Sequence, residues 1–130
     1  MDYYKQAIAK DPYSMGTYNH LVIVQAKLGN HLQVIRLCEK LLEFDPGYAQ
    51  AYCNLGSAYG ALGDFRASIR YSLQALKLDP SLASAHNNLA VVYYYTQQYS
   101  LAVEHCDKAI QLGAKINPEF LKLLEACRKH

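Results

Sequence analysis

Apolar residues recur along this chain at helical spacing, and the helical blocks come in pairs. Tyr18, Leu21, Val22 and Gln25 fall at i, i+3, i+4 and i+7, giving one mostly apolar helix face. Gly29-Asn30 breaks that pattern where a turn is needed. Val34, Ile35, Cys38, Leu41 and Leu42 then form the stripe of a second helix. The pair returns as Tyr52, Leu55, Gly56 and Tyr59 followed by Ile69, Ser72, Ala75 and Leu76. It returns again as His86, Leu89, Ala90 and Tyr93 followed by Ala102, Val103, Cys106, Ala109 and Ile110. Asp11-Pro12, Asp45-Pro46 and Asp79-Pro80 stand 34 residues apart, and a dipeptide at one fixed interval marks an internal repeat. The expected units are 15–48, 49–82 and 83–116 within one domain over 1–130.

The flanks carry part of the same pattern. Tyr4, Ala7 and Ile8, followed by Asp11-Pro12, match Ser72, Ala75 and Leu76, so residues 1–12 read as the second helix of a truncated repeat. That reading expects either a piece of a longer protein or an apolar face covered by a neighbouring chain. In the third unit Gln97-Gln98 replaces the Gly-Asp break and Gly113-Ala114 replaces Asp-Pro, so the repeat decays toward its end. Asn117-Pro118-Glu119 is a helix start, with Asn as N-cap, Pro at the first position and an acid in the first turn. The helix it opens, over 117–130, carries Phe120, Leu123, Leu124 and Cys127 on one face. Such a helix caps the apolar flank that a stack of repeats otherwise exposes.

A 34-residue helix–turn–helix period resembles the tetratricopeptide repeat (TPR) family. The central unit carries the family's pattern in Tyr52, Leu55-Gly56, Tyr59, Gly63, Phe65, Ala75 and Pro80. Ser68 departs from it, standing where the family prefers alanine, and the first unit departs further at Val22, Gln25 and Leu41. The resemblance implies an all-α fold, a right-handed α-solenoid of antiparallel helix–turn–helix units with a C-terminal capping helix. It also implies a concave groove lined by the outward face of each first helix.

At 100° per residue, positions 4, 7, 8 and 11 of a first helix point into the stack, and 2, 5, 6, 9, 12 and 13 point away. The outward set is Gly16, Asn19, His20, Ile23, Ala26 and Lys27, then Gln50, Cys53, Asn54, Ser57, Gly60 and Ala61, then Ser84, Asn87, Asn88, Val91, Tyr94 and Tyr95. Only Lys27 carries a full charge. The chaperone-tail clamp of the family needs cations to hold a carboxylate. Asn19, Ile23, Ser84 and Asn88 occupy its positions here, so that use is rejected. What remains is an amide-rich, mildly apolar groove ending in tyrosines. Asn54 and Asn88 should project in parallel, each offering a donor and an acceptor to an extended backbone. Tyr94 and Tyr95 either grip a partner's apolar side chain or pack against the C-terminal helix.

Composition narrows the function classes. The net charge of +2 over 130 residues gives no reason to expect nucleic acid or an acidic membrane as partner. The longest apolar run, Leu89 to Tyr95, is too short to span a bilayer. Cys38 and Cys106 hold the same position in non-adjacent units, beyond the reach of a disulfide, and unpaired thiols point to a cytoplasmic setting. His105-Cys106 are helix neighbours about 100° apart and make a poor metal pair. No nucleophile motif or phosphate loop appears, so neither enzymatic activity nor a cofactor is expected. Arg66, Arg70 and Lys77 read as a solvated convex face. The expected function is a peptide- or protein-binding module, an adaptor or assembly scaffold. The alternative is self-association into a homo-oligomer through residues 1–12.

Overall fold

The computed structural model describes residues 15–128, and the expected helix at 1–12 lies outside them. Those residues form α1 (Met15–Lys27), α2 (His31–Phe44), α3 (Ala49–Ala61), α4 (Phe65–Leu78), α5 (Ala83–Tyr95), α6 (Tyr99–Gln111) and α7 (Pro118–Arg128), with no strand among them. Each helix packs on the next in sequence, and α3 also packs on α5, the arrangement of an all-α solenoid.

Sequence explains the turns. After α1, α3 and α5 the amide of Asn30, Asp64 or Gln98 reaches back to the carbonyl of Gln25, Tyr59 or Tyr93 at 2.8–3.0 Å. That six-to-one bond closes a Schellman motif, which needs a left-handed residue before it. Gly29 (φ 76°) and Gly63 (φ 86°) supply that residue, and in the third unit Gln97 does so at φ 64°. The exits of α2 and α4 differ, because a residue before proline is driven to extended backbone. Asp45 and Asp79 are extended, and their carboxylates accept from the amides of Gly47 and Ser81 at 3.1 and 3.0 Å.

The core follows the stripes. Tyr18, Leu21, Val22 and Gln25 are buried, as are Val34, Ile35, Cys38 and Leu41. In the second unit, the small residues let the two helices meet closely. A Cβ on Gly56 would collide with Ser72 Oγ and lie 3.2 Å from the Ser68 carbonyl oxygen. Ser68, at the site expected to hold alanine, donates its hydroxyl to the Gly56 carbonyl at 2.6 Å. On the other face Tyr71 stacks between Tyr52 and Tyr59, with ring centroids 6.2 and 5.4 Å away.

The C-terminal end departs from the stripes in two places. Ile110, expected inside, is 45% exposed, and Leu123 is 47% exposed while its neighbour Leu124 is buried. Leu123 occupies the seventh position of its unit, where Leu21, Leu55 and Leu89 are all buried. The cause is the exit from α6. Gly113 (φ 96°) closes a Schellman turn there instead of an Asp-Pro corner, with Ala114 N–H on the Ala109 carbonyl at 2.9 Å. The chain leaves in another direction. Phe120, at the start of α7, meets Tyr94 at the end of α5, and Arg128, at its end, forms a two-pronged ion pair with Asp107 of α6. This capping helix is therefore rolled, and Leu124 rather than Leu123 fills the core with Leu89, Ala90 and Cys106.

Candidate groove on the first helices

The outward residues divide by unit. On α1, Asn19 is half-buried while His20 and Lys27 are exposed, and none of them lines a cleft described below. On α3, Gln50 and Asn54 are half-buried and tied together, the Gln50 amide donating to Asn54 Oδ1 at 3.1 Å. Ser57 is exposed. On α5, Asn87, Asn88, Val91 and Tyr94 are half-buried and Tyr95 is 63% exposed.

One outward assignment needs correction, and one outward residue is tied to its neighbour. Cys53 is buried, its sulfur 3.2 Å from the Ser84 hydroxyl. In the second unit this position faces the next first helix and not solvent. Burial pushes the Cys53 thiol up from its ordinary value, and burial likewise pushes Cys38 up to about 12. Asn88 does not stand free beside Asn54. Its amide donates to the Cys53 carbonyl at 3.0 Å, tying α5 to α3 and committing one of its two N–H donors. All four cysteines are free thiols.

Two clefts run along the outward face of α5. The first, about 570 Å³, has a floor of small residues, Gly56, Ser57, Gly60 and Ala61, below Asn87, Asn88, Val91 and Tyr95. Its wall includes Phe65, which stacks on Tyr95 with centroids 5.9 Å apart and planes only 2° from parallel. Phe65 enters the sequence reading only as part of the repeat pattern. Its link to the groove follows from standing at the start of α4, against the end of the next first helix. The second cleft, about 320 Å³, is lined by Asn87, Val91, Tyr94 and Tyr95 on one side and by Ile116, Glu119 and Phe120 on the other. Asn87 belongs to both, and its Oδ1 is buried with no hydrogen-bond donor among the described residues. A buried acceptor left unpaired costs about 1–3 kcal/mol.

Outside the groove, His86 and His105 meet at 3.0 Å across the third unit. Sequence reading gave His86 a packing role and missed this contact, which depends on the turn at 96–98. Among the described residues no cluster of three metal-ligating side chains occurs. None of their helices is long and apolar enough to cross a membrane.

Stacked helical hairpins with small residues between the helices and an outward groove define a helical-repeat interaction module. Sequence profiles of the tetratricopeptide repeat match residues 49–82 and 83–113, together half of the chain. The chain belongs to the tetratricopeptide repeat family. No curated protein matches it. Among solved structures it is similar to MamA. One crystal structure of MamA is 27% identical with a TM-score of 0.74, over 85% of this chain and 64% of that one. A second is 28% identical with a TM-score of 0.72, over 84% and 60%. MamA from Desulfovibrio magneticus RS-1, residues 41 to the end, is 22% identical with a TM-score of 0.73, over 84% and 62%, and shows the fold alone. The chain thus spans less than two thirds of each. Fold and family support a protein–protein interaction or scaffold module, a class that is typically non-catalytic.

Proposed function

We propose that the chain is a non-catalytic module that binds a peptide or protein segment along the outward face of α3 and α5, as adaptor or assembly scaffold within a larger protein. The observation that carries this reading is Asn87. Asn87 lines both clefts and its buried Oδ1 lacks a donor among the described residues, so a partner whose backbone N–H reached it would gain a hydrogen bond. Shape and apolar contact would dominate, because Lys27 is the one full charge among the outward positions. The four free thiols fit a reducing compartment such as the cytoplasm. The test is selection of peptides from a random library, followed by calorimetry at low and high salt. Asn87→Ala should weaken a selected peptide by about tenfold, the worth of one hydrogen bond. Affinity unchanged by this substitution, or lost on adding salt, would sink the reading.

A second reading, self-association through residues 1–12, is favoured by Leu123. This leucine is uncovered at a site that three other units bury, so the end of the stack offers apolar surface. Light scattering over a concentration series separates the two. A monomer throughout leaves the groove, and an assembly lost in the Ile8→Asp variant makes the N-terminal segment responsible.

A further inference from the structure

Tyr94 sits in a ring of aromatic side chains. Tyr95 meets it edge-on at 5.8 Å, Tyr99 lies tilted at 5.7 Å, and Phe120 meets it edge-on at 5.7 Å and 85°. The first two belong to the same helical hairpin as Tyr94, whereas Phe120 arrives from the segment that follows. That segment, with Ile116, faces Asn87, Val91 and Tyr95 of α5 across the second cleft, and these three also line the first. The two clefts are therefore parts of one trough, and the chain's own 116–120 forms the wall at one end, with Phe120 seated on Tyr94.

This occupant is lightly held. Leu124 is the one fully buried side chain of α7, and Leu121 and Leu123 remain exposed. Asn87 Oδ1 has no donor among the described residues with the segment in place, so the fit is incomplete.

We propose that the partner is a peptide segment whose aromatic side chain takes the place of Phe120 on Tyr94, so that binding undocks the start of α7. This rests on the groove reading and adds the chemistry of the partner and the competition with the chain's own segment. A tethered segment competes at an effective concentration of about millimolar, so the intact chain masks the aromatic socket.

The probe is a synthetic peptide of residues 112–122, with an analogue carrying Ala at the position of Phe120. The Phe120→Ala chain should bind the peptide at least about tenfold more tightly than the wild type, because its tethered competitor is gone. The analogue should bind neither. Circular dichroism checks that the variant remains helical. A second variant keeps the outcome readable. The chain has no tryptophan, so Phe120→Trp places a single reporter on Tyr94, and its emission should move to the red as peptide is added. Equal affinity for both chains, equal binding of the analogue, or no binding to the Phe120→Ala chain would overturn the proposal. If library-selected groove peptides bind yet leave the tryptophan emission unmoved, the proposal fails while the groove reading stands. If no library peptide binds at all, the groove reading fails first.

Discussion

His86 and His105 aim their Nδ1 atoms straight at each other across 3.0 Å. Their ring centroids are 5.3 Å apart, the nitrogen separation plus one ring radius on each side, so both nitrogens lie on the line between the rings. His86 Nε2 lies 3.3 Å from the Pro80 carbonyl, which can only accept, so Nε2 carries its proton. His86 Nδ1 is then the acceptor and His105 Nδ1 the donor. This head-on contact suits a proton between two neutral rings and leaves no room for two protons.

The pH dependence follows. Burial lowers both histidines from their ordinary value. Lys108 adds to this at His86 while the Pro80 carbonyl opposes it, and His86 adds to it at His105 while Glu104 opposes it. A folded value below the unfolded one means that the unfolded chain binds more protons as pH falls. The contribution is complete above the unfolded value, near 6.5, and is lost as pH drops below it. The melting temperature should fall between about pH 7.5 and 5, less steeply in His105→Gln, which keeps a donor and titrates one group fewer. Identical slopes for the two proteins would show that the pair does not titrate with folding.

Gly56 marks the closest approach of α3 and α4. Alanine there would press on Ser72 Oγ and lie 3.2 and 3.3 Å from the Ser68 oxygen and Ser72 nitrogen of the backbone. Backbone cannot swing aside as a side chain can, so Gly56→Ala should cost about 1–3 kcal/mol in urea unfolding. Ser72→Ala should go the other way. Its hydroxyl is buried without a partner among the described residues, and removing it should gain a few tenths to about 1 kcal/mol.

Gln97 holds a left-handed backbone, φ 64°, where the other two units place Gly29 and Gly63. A side chain in that region costs roughly 1–2 kcal/mol, part of which glycine returns as unfolded-state entropy. Gln97→Gly should therefore stabilise the chain by about 1 kcal/mol, read as a raised urea midpoint. A lowered midpoint would mean that the glutamine side chain contributes more than its backbone costs.

The repeat was legible because it is written in small residues and turn residues. Gly56, Gly63 and the Asp-Pro corners state the period, the turns and the tight packing in order, and the structure follows them. The end of the array was less so. Gly113-Ala114 reads as a decayed corner, but that its left-handed exit would bury Leu124 in place of Leu123 depends on how far the chain turns. Groove residues were harder for a related reason. A helical wheel gives the direction of a side chain, but not what the neighbouring helix places there. Cys53 and Asn88 point outward from their own helices and into each other's.

That difference separates the two asparagines of the expected ladder. Asn88 donates to the Cys53 carbonyl across the boundary between α5 and α3, so Asn88→Ala should lower stability by about 1 kcal/mol whether or not a ligand is present. Among the described residues Asn54 accepts from Gln50, one turn earlier on its own helix, and Asn54→Ala should stay within about 0.5 kcal/mol of the wild type. Peptide affinity measured on both variants then sorts their roles. If Asn54 contacts the ligand, its variant loses affinity at unchanged stability. Loss confined to Asn88→Ala would instead mean that Asn88 acts by holding the two first helices at the spacing the groove requires.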